Sequence, residues 1–272
     1  MRVPLEKRFP RPSVMGIVNV TPDSFSDGGV NFRAEDAIAA ARRMVEEGAA
    51  IVDVGGESTR PGAEPVPVEE ELRRVLPVLE AVAVEAPVSI DTAKAEVARR
   101  ALELGVEMVN DVTALRADPD LAGVVAGAGA DLCLMHMQGE PRTMQADPSY
   151  DDVVSDVKAF LEERLRFAVD EGVAESRICL DPGIGFGKTV EHNFELVRRL
   201  DELTELGRPV VVGFSRKSSL GKILGDPGAT TGPLSASIAA AVAAYERGAT
   251  ILRVHDVKEH VEALTAARAV AG

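Results

Sequence analysis

The sequence predicts a single-domain α/β protein, a (β/α)8 or TIM barrel that spans residues 1–272. Its 272 residues, 46% of them hydrophobic, suit one barrel of about 250 residues with a sizeable core. A unit of polar helix, glycine and short apolar run with a polar end recurs in EEGAAIVDVGGE, ELGVEMVNDV, GAGADLCLMHM and ERGATILRVHD. No G-x-G-x-x-G motif follows the first apolar run, which disfavours the alternative, a doubly wound open sheet.

Eight short apolar runs rich in β-branched residues predict the strands, because buried parallel strands have this composition. The strands lie near residues 14–19, 50–54, 87–91, 106–110, 131–136, 177–181, 209–214 and 250–254. Helices are predicted over 34–47, 68–84, 94–104, 151–171, 190–205 and 234–247, and from residue 258 onwards. Several strands are preceded by a glycine, which is a common residue just after the end of a helix. This alternation favours a closed parallel barrel.

Composition and charge exclude several classes of protein. The formal net charge of −14 argues against a nucleic-acid-binding protein, whose affinity depends on basic surfaces. No apolar stretch approaches the roughly 18–20 residues of a membrane span, and MRVPLEKRFPRPS lacks the apolar core of a signal peptide. We therefore expect a cytoplasmic protein that binds neither nucleic acid nor membranes. Cys133 and Cys179 lie in apolar runs without metal-ligand spacing, so we expect reduced core thiols.

Polar residues follow nearly every predicted strand, and the catalytic residues of such barrels lie at the carboxyl ends of the strands. They are Asn19, Asp53, Thr59, Arg60, Asp91, Asn110, Asp111, His136, Asp181, Ser215, Lys217, Arg253 and His255. A single Asp or Asn after a strand is often only a helix cap. Caps do not explain why Lys217, Arg253 and His255 share one end of the barrel with several carboxylates and amides.

One group of these residues suits a flat, nitrogen-rich heterocycle. Asp91, Asn110 and Asp181 follow the third, fourth and sixth strands. A carboxylate can accept two parallel N–H bonds from a guanidine-like edge such as that of guanine or a pterin, and an amide can match the adjoining donors and acceptors. Lys217 follows the seventh strand and can donate to a ring carbonyl or nitrogen.

The other group suits a phosphate or diphosphate. Arg253 and His255 follow the eighth strand, and the loops after strands seven and eight form the usual phosphate site of this fold. Their cations and N–H groups complement an anion. The amide oxygen of Asn19 is a suitable hard ligand for Mg²⁺ shared with that anion.

Other residues at this end have structural interpretations. His136 is more often a hydrogen-bonded strand-end residue than a ligand contact. Gly183, Gly185 and Gly187 in DPGIGFGKT favour a backbone turn over a phosphate loop. Phe186 fits equally well as a ring contact or as a core residue.

Together these segments resemble the dihydropteroate synthase family. The resemblance is carried by MGIVNVTPDSFSDGG, DVGGESTRPGA, SIDT, VNDV, MHMQGEP, DPGIGFGKT, GFSRKS and RVHDV, from about Val14 to His255. It implies an enzyme that joins 6-hydroxymethyl-7,8-dihydropterin diphosphate to 4-aminobenzoate, with release of pyrophosphate. It also implies Mg²⁺ as cofactor, a homodimer and inhibition by sulfonamides, which mimic 4-aminobenzoate.

The resemblance implies a role for each candidate residue. Asp91, Asp181, Lys217 and Arg253 would be catalytic. The pterin would bind Asp91, Asn110, Asp181, Lys217 and Arg253. The diphosphate would bind Asn19, Arg253 and His255, with Asn19 also a metal ligand. The residues that would border the aminobenzoate are Thr59, Arg60, Pro61, Phe186 and Ser215.

Two departures from the family pattern stand out. Ser219 occupies a position that is usually bulky and apolar, and the stretch GATTGPLSASIAAA differs from the usual segment before an alanine-rich helix. These changes put the packing under Lys217 and the dimer contact in question. Two rival functions are a methyltetrahydrofolate–corrinoid methyltransferase, which has no use for a diphosphate site, and a non-catalytic pterin-binding paralogue.

Two long loops are predicted to act as lids. The loops near residues 23–32 and 59–67 exceed the usual length of βα connections and show no helical or strand pattern. We expect them to close over the bound pterin diphosphate, so that 4-aminobenzoate binds second.

Overall fold

The computed structural model describes residues 3–21, 34–59 and 62–271, and it forms a parallel β-barrel surrounded by helices. The strands are β1 (Ser13–Asn19), β2 (Ile51–Gly55), β3 (Val88–Asp91), β4 (Met108–Asp111), β5 (Asp131–Met135), β6 (Ile178–Asp181), β7 (Val211–Val212) and β8 (Ile251–Val254). Each of the eight predicted strands is therefore confirmed.

The order of the strands closes the sheet on itself. β1 pairs in parallel with both β2 and β8, and β7 pairs with β8. A single bridge between Leu180 and Val210 joins β6 to the residue that precedes β7. This closure confirms the (β/α)8 barrel and excludes the doubly wound open sheet, in which the first strand would not pair with the last.

The helices surround the barrel in the order α1 (Leu5–Arg8), α2 (Ala34–Glu46), α3 (Val68–Val82), α4 (Ala95–Glu103), α5 (Leu121–Ala128), α6 (Val153–Asp170), α7 (Val190–Arg198), α8 (Leu200–Thr204), α9 (Ser218–Ile223), α10 (Leu234–Glu246) and α11 (Val257–Ala271). The single helix predicted over 190–205 was wrong, because Arg199 has a non-helical backbone (φ −113°, ψ 31°) that separates α7 from α8. None of the described helices is long and apolar enough to cross a membrane.

The interior of the barrel is apolar at its amino end. Alternate strand residues face inward, and they pack there against Leu5 and Phe9 of the N-terminal segment. The inward residues are Met15, Ile51, Met108, Cys133, Cys179, Val211 and Ile251. Both cysteines are free and buried, as predicted.

Charged residues line the same amino end. The fully buried carboxylate of Asp131 pairs with Arg177 and with Arg8 of α1. The N-terminal segment thus closes this end of the barrel with an apolar plug and a buried ion-pair cluster. A ligand of the barrel interior must therefore enter from the carboxyl ends of the strands.

Candidate active site

The carboxyl ends of five strands bring polar side chains to the inside of the barrel. Asp53 is fully buried, Asn110 and Asp181 are nearly so, and the side chains of Asp91 and Arg253 are 11% and 20% exposed. Asp53, Asn110, Asp181 and Arg253 each lie two residues after an inward residue of their strand, so the alternation of a β-strand points them to the same interior. Asp91 is paired in register with Asn110 and faces the same way. The polar residues therefore form the layer above the apolar plug.

Arg253 is the centre of this polar layer. Its Nε donates to Oδ2 of Asp53 at 2.7 Å, and its Nη2 donates to Oδ2 of Asp91 at 2.8 Å. The amide of Asn110 donates to the same Asp53 oxygen at 3.0 Å. Asp53 thus orients both a cation and an amide that the sequence assigns to ligand binding. A ligand that uses Asp91 would share this carboxylate with Arg253 or displace it.

Burial shifts the protonation of the acidic groups. It raises the pKa of Asp91 to about 7, although the Arg253 guanidinium favours the ionised carboxylate. Burial also raises the pKa of Asp181, against the backbone N–H of Gly183, which donates to Oδ1 at 2.7 Å. Burial opposes the charge of Arg253 as well, but Asp53 and Asp91 raise its pKa above the ordinary value. The layer therefore holds a permanent cation beside Asp91, whose pKa of about 7 leaves it between its two protonation states near neutral pH.

Lys217 and Phe186 form a second side of the site. Lys217 directly precedes α9, and its Nζ lies 4.4 Å from the centroid of the Phe186 ring, within cation–π distance. The charge of Lys217 favours the ionised form of Asp181, which links this pair to the polar layer. Phe186 is half-buried beside an apolar cluster that includes Met135 and Met137. One part of the Phe186 ring packs against the protein, and the other part is accessible to solvent.

Ser215 and His255 lie together at the ends of β7 and β8. The backbone N–H of His255 donates to Oγ of Ser215 at 3.2 Å, and Oγ lies 3.1 Å from Nδ1 of His255. Because Oγ accepts from this N–H, it can donate its own hydrogen to Nδ1, which leaves the ring proton on Nε2. Burial, together with the charges of Arg216 and Arg253, lowers the pKa of His255 to about 3. His255 is therefore a neutral N–H donor in this structure, not one of the cations that the sequence suggested.

Asn19 is the last residue of β1 and is half-buried. Its Cα is paired with Gly55 of β2, and the other neighbour of β1 is β8, which carries Arg253. Asn19 thus lies at the same end of the barrel as Arg253 and His255, as the predicted diphosphate site requires.

The loop after β2 is fixed at its stem. Oε1 of Glu57 accepts from the backbone N–H of Val66 at 3.2 Å, which closes the loop between them. Lys94, which follows β3, forms ion pairs with Glu57 and with the fully buried Glu71. Thr59 lies half-buried within this loop.

Part of the predicted lids lies outside the described residues. Arg60 and Pro61, which the sequence assigns to the aminobenzoate site, are among them, as are residues 23–32 of the first loop. Their roles stay predictions.

A cleft of about 620 Å³ opens beside Asp91 between the loops that follow β2, β3, β4 and β5. Thr59, Val112, Arg116 and Met137 are among its lining residues. Its volume is in the range of small-molecule sites. Of the predicted residues it includes Asp91 and Thr59, whereas Asn110, Asp181, Lys217 and Arg253 lie outside its lining.

The glycine-rich loop after β6 needs its glycines for steric reasons. Gly183 and Gly187 have φ values of +69° and +64°, in the left-handed region. A Cβ on Gly183 would lie 1.9 Å from the carbonyl oxygen of His136, and one on Gly187 would lie 2.5 Å from that of Gln138. The backbone turn predicted from these glycines is therefore confirmed. His136 is buried, with its Nδ1 2.8 Å from Nζ of Lys188, which confirms its structural interpretation.

Ser219 supports the same loop. Its Oγ accepts from Nδ2 of Asn193 at 2.9 Å, and Oδ1 of Asn193 accepts from the backbone N–H of Gly185 at 2.7 Å. A bulky apolar residue could not accept this hydrogen bond, so Ser219 contributes a polar contact that the usual residue lacks. Arg216, beside Lys217, forms an ion pair with Asp256.

The sequence did not reveal two functional features. In the sequence, Asp53 is one of several carboxylates at strand ends, and its sequence neighbours do not indicate that it accepts hydrogen bonds from both Arg253 and Asn110. The sequence does not indicate that Lys188 is buried, because the burial of a lysine after a glycine-rich segment depends on the tertiary fold.

No group of three or more His, Cys, Asp or Glu side chains in residues 3–21, 34–59 and 62–271 is arranged to hold a metal ion.

Comparison with known proteins places this geometry in a family. The family model described as pterin binding enzyme matches residues 15–255. The dihydropteroate synthase of Escherichia coli (strain K12) is 49% identical over 258 residues, which cover 93% of this chain and 89% of that protein. The dihydropteroate synthase of Neisseria meningitidis serogroup C is 48% identical over 260 residues, covering 94% of this chain and 92% of that protein.

Solved structures agree with this relationship. A Yersinia pestis dihydropteroate synthase in complex with a sulfonamide drug superposes with a TM-score of 0.89 at 44% identity, over 96% of this chain and 94% of that chain. A Xanthomonas albilineans dihydropteroate synthase with 4-aminobenzoic acid gives a TM-score of 0.88 at 48% identity, over 97% and 94%. The chain belongs to the pterin-binding enzymes and, within them, to the dihydropteroate synthase family of transferases.

Proposed function

We propose that the protein joins 6-hydroxymethyl-7,8-dihydropterin diphosphate to 4-aminobenzoate, forming 7,8-dihydropteroate and pyrophosphate. The observation that carries the proposal is the polar layer in which Arg253 bridges Asp53 and Asp91 beside Asn110. A relative from Xanthomonas albilineans, 46% identical, has been solved in complex with 7,8-dihydropteroate, which supports the same product here.

The polar layer suits the pterin ring. Asp91 and Asp181 offer carboxylate oxygens to the paired N–H donors of the ring, and Asn110 offers an amide beside them. Lys217 supplies a donor for a ring carbonyl or nitrogen. Arg253 has a planar guanidinium that can stack on the ring and still reach an anion.

The opposite side suits the leaving diphosphate. The guanidinium of Arg253 provides charge, and Nε2–H of His255 provides a neutral donor. The amide oxygen of Asn19 is a hard ligand, and Mg²⁺ commonly binds through one or two protein oxygens together with substrate phosphates and water. The residues thus fit a magnesium ion held by Asn19 and the diphosphate. When bound, Mg²⁺ would neutralise negative charge that develops on the leaving group.

The second substrate would be bordered by Thr59, Phe186 and Ser215, together with Arg60 and Pro61. The half-buried Phe186 ring offers an apolar surface for the aromatic ring of 4-aminobenzoate. Ser215 is in hydrogen-bonding contact with His255, which the proposal assigns to the diphosphate side.

The reaction breaks the bond between the pterin methylene carbon and the diphosphate oxygen. The electrons of that bond leave with pyrophosphate, and the amine nitrogen of 4-aminobenzoate forms a new bond to the carbon and then loses one proton. Asp91 and Asp181 would stabilise positive charge on the pterin, while Arg253 and His255 stabilise the departing anion; such fixed groups contribute through preorganisation. The arylamine is neutral at pH 7, so no strong base is required.

The test is release of pyrophosphate by the purified protein with Mg²⁺. We expect release only when both substrates are present, with formation of dihydropteroate. Lys217→Ala should lower pterin binding and turnover by about ten- to a hundredfold, because a charge-assisted hydrogen bond contributes about 1.5–3 kcal/mol. The exposed Lys222 of α9 provides a matched control, and Lys222→Ala should leave both unchanged.

The same assay separates the rival functions. A methyltransferase of the corrinoid type would bind a pterin without releasing pyrophosphate, and a non-catalytic paralogue would bind it without turnover. Release that does not depend on the amine would refute the proposed function. The homodimer and the cytoplasmic location expected from the sequence stay predictions; a monomer by light scattering would contradict the first.

A further inference from the structure

Lys188 is a buried lysine at the end of the glycine-rich loop after β6, and the proposed reaction does not use it. It is only 3% exposed. Its Nζ donates to the carbonyl oxygen of Phe186 at 3.0 Å and lies 2.8 Å from Nδ1 of His136. Neither partner is a carboxylate, so these two contacts do not neutralise the charge of a buried ammonium, which is costly to desolvate. A lysine in this position therefore requires an explanation.

The groups around Lys188 come from four parts of the fold. The titratable side chains that interact with it are those of His136, Tyr150, Asp181, His192 and Lys217. The pKa of Lys188 is lowered to about 7, mainly by burial; the charge of Asp181 opposes this shift, and that of Lys217 adds to it. Burial also lowers the pKa of His136 to about 2, so this ring is neutral and its Nδ1 can accept from Lys188.

The two contacts of Lys188 hold the loop that presents Phe186. Its amine connects the carbonyl of Phe186, within the loop, to His136, which follows β5. The same loop begins at Asp181, and the Phe186 ring lies under Nζ of Lys217 at 4.4 Å. A displacement of the Phe186 backbone would therefore move one wall of the site.

We propose that Lys188 is a positioning residue for pterin binding: it fixes the backbone of Phe186 against His136 and places a positive charge near Asp181. The inference rests on the proposed function, because it acts through a carboxylate that is assigned to the pterin. The electrostatic interaction between Lys188 and Asp181 is reciprocal: the ammonium favours the ionised form of Asp181 as much as the carboxylate favours the charged form of Lys188.

The sign of the effect follows from these charges. An ionised Asp181 accepts the pterin N–H donors, and a cation nearby lowers the pH at which this carboxylate protonates. Removing the charge of Lys188 should therefore move the acid limb of pterin binding to higher pH. A lysine that only filled space would leave this limb unchanged.

The experiment compares Lys188→Met, which keeps the length of the side chain but removes its charge and donors, with Lys222→Met as control. Binding of 6-hydroxymethylpterin is measured by calorimetry from about pH 5 to about pH 8. The variants are compared at each pH, so that the titration of the ligand itself affects all of them equally. We expect Lys188→Met to bind at least about tenfold more weakly at neutral pH. We also expect its acid limb to lie at least about half a pH unit higher than that of the wild type. The control should match the wild type in both respects.

Three results would overturn the inference. One is wild-type affinity and acid limb in Lys188→Met. Another is weaker binding with an unshifted acid limb, which would make Lys188 a purely structural residue. A wild-type protein that binds no pterin would instead refute the proposed function, and with it this role.

A second measurement covers the case in which Lys188→Met does not fold. In wild-type protein labelled with ¹³C at lysine Cε, one signal should titrate near neutral pH, because burial lowers the pKa of Lys188 to about 7. Asp181→Asn should move this midpoint to lower pH, since the carboxylate favours the ammonium. The absence of a lysine that titrates near neutral pH, or a midpoint that Asp181→Asn does not move, would also overturn the inference.

Discussion

Replacing Asp53 by asparagine tests whether this carboxylate organises the site. Asp53 is fully buried, and a single oxygen accepts from Arg253 at 2.7 Å and from Asn110 at 3.0 Å. Breaking a buried charge pair by removing one partner costs about 3–5 kcal/mol. Asparagine keeps an oxygen that can accept one of the bonds, and Arg253 keeps its bond to Asp91. We therefore expect Asp53→Asn to lower the free energy of unfolding by about 2 kcal/mol.

The measurement is thermal unfolding combined with the pyrophosphate assay. For a protein of this size, a loss of about 2 kcal/mol corresponds to a decrease in Tm of roughly 4–8 °C. If the loss of the Asp53 charge also misplaces Arg253 and costs the transition state the same amount of about 2 kcal/mol, kcat/KM should fall by about 30-fold. The exposed Asp201 of α8 is the matched control, and Asp201→Asn should change stability by less than about 0.5 kcal/mol. An Asp53→Asn protein with wild-type Tm and kcat/KM would refute the organising role.

The site supports four further predictions. Burial raises the pKa of Asp91 to about 7, and the N–H donors of the pterin need its ionised form, so pterin binding near pH 6 should release protons. Calorimetry in buffers of different ionisation enthalpy detects this release. An equal heat of binding in all buffers would contradict the prediction. Because of the same raised pKa, Asp91 is protonated in the folded state but ionised in the unfolded state between about pH 4 and about pH 7. The contribution of Asp91 to the free energy of unfolding should therefore decrease as the pH rises through that window. Asp91→Asn should remove this pH dependence. His255→Ala should weaken pyrophosphate binding more than binding of the unphosphorylated pterin alcohol, and equal losses would remove His255 from the diphosphate site. Glu57→Ala should remove the hydrogen bond from Val66 and loosen the stem of the loop that carries Thr59, which raises KM for 4-aminobenzoate by about tenfold with pterin affinity unchanged. Weaker pterin binding of the same size would show that the loop does not serve the second substrate alone.

The sequence predicted the barrel well because the signal is local and repeated. Each strand is a short apolar run that ends in polar residues, so the positions of Asp91, Asn110, Asp181 and Arg253 at one end of the barrel followed from the pattern alone. The break at Arg199 was missed, because a single non-helical residue between two helices leaves the helical periodicity intact.

The contacts within the site were less predictable, because they join distant parts of the chain. Arg253 and Asp53 are 200 positions apart, and no spacing indicates which of several carboxylates an arginine will choose. The protonation state of His255 depends on its burial between Ser215, Arg216 and Arg253, which only the folded structure provides. The same reasoning applies to Lys188, whose Nζ lies beside Nδ1 of His136, 52 positions away in the chain.

The guanidinium of Arg253 donates to a nearly buried carboxylate, that of Asp91. A guanidinium donates N–H groups in one plane, and the guanidine-like edge of a pterin presents donors of the same kind. Arg253 thus satisfies in the protein an oxygen of Asp91 that the ring would satisfy in the complex. When the ring takes over this carboxylate, Arg253 still keeps the bond from its Nε to Asp53, so its Nη groups can turn towards a neighbouring anion without losing the whole ion pair. Because Asn19 and His255 lie at the ends of the two strands β1 and β8, the diphosphate that we propose for this side would be within reach of such a guanidinium. One residue would then couple recognition of the ring to stabilisation of the leaving group, and this coupling requires Asp53 as the fixed point about which Arg253 moves.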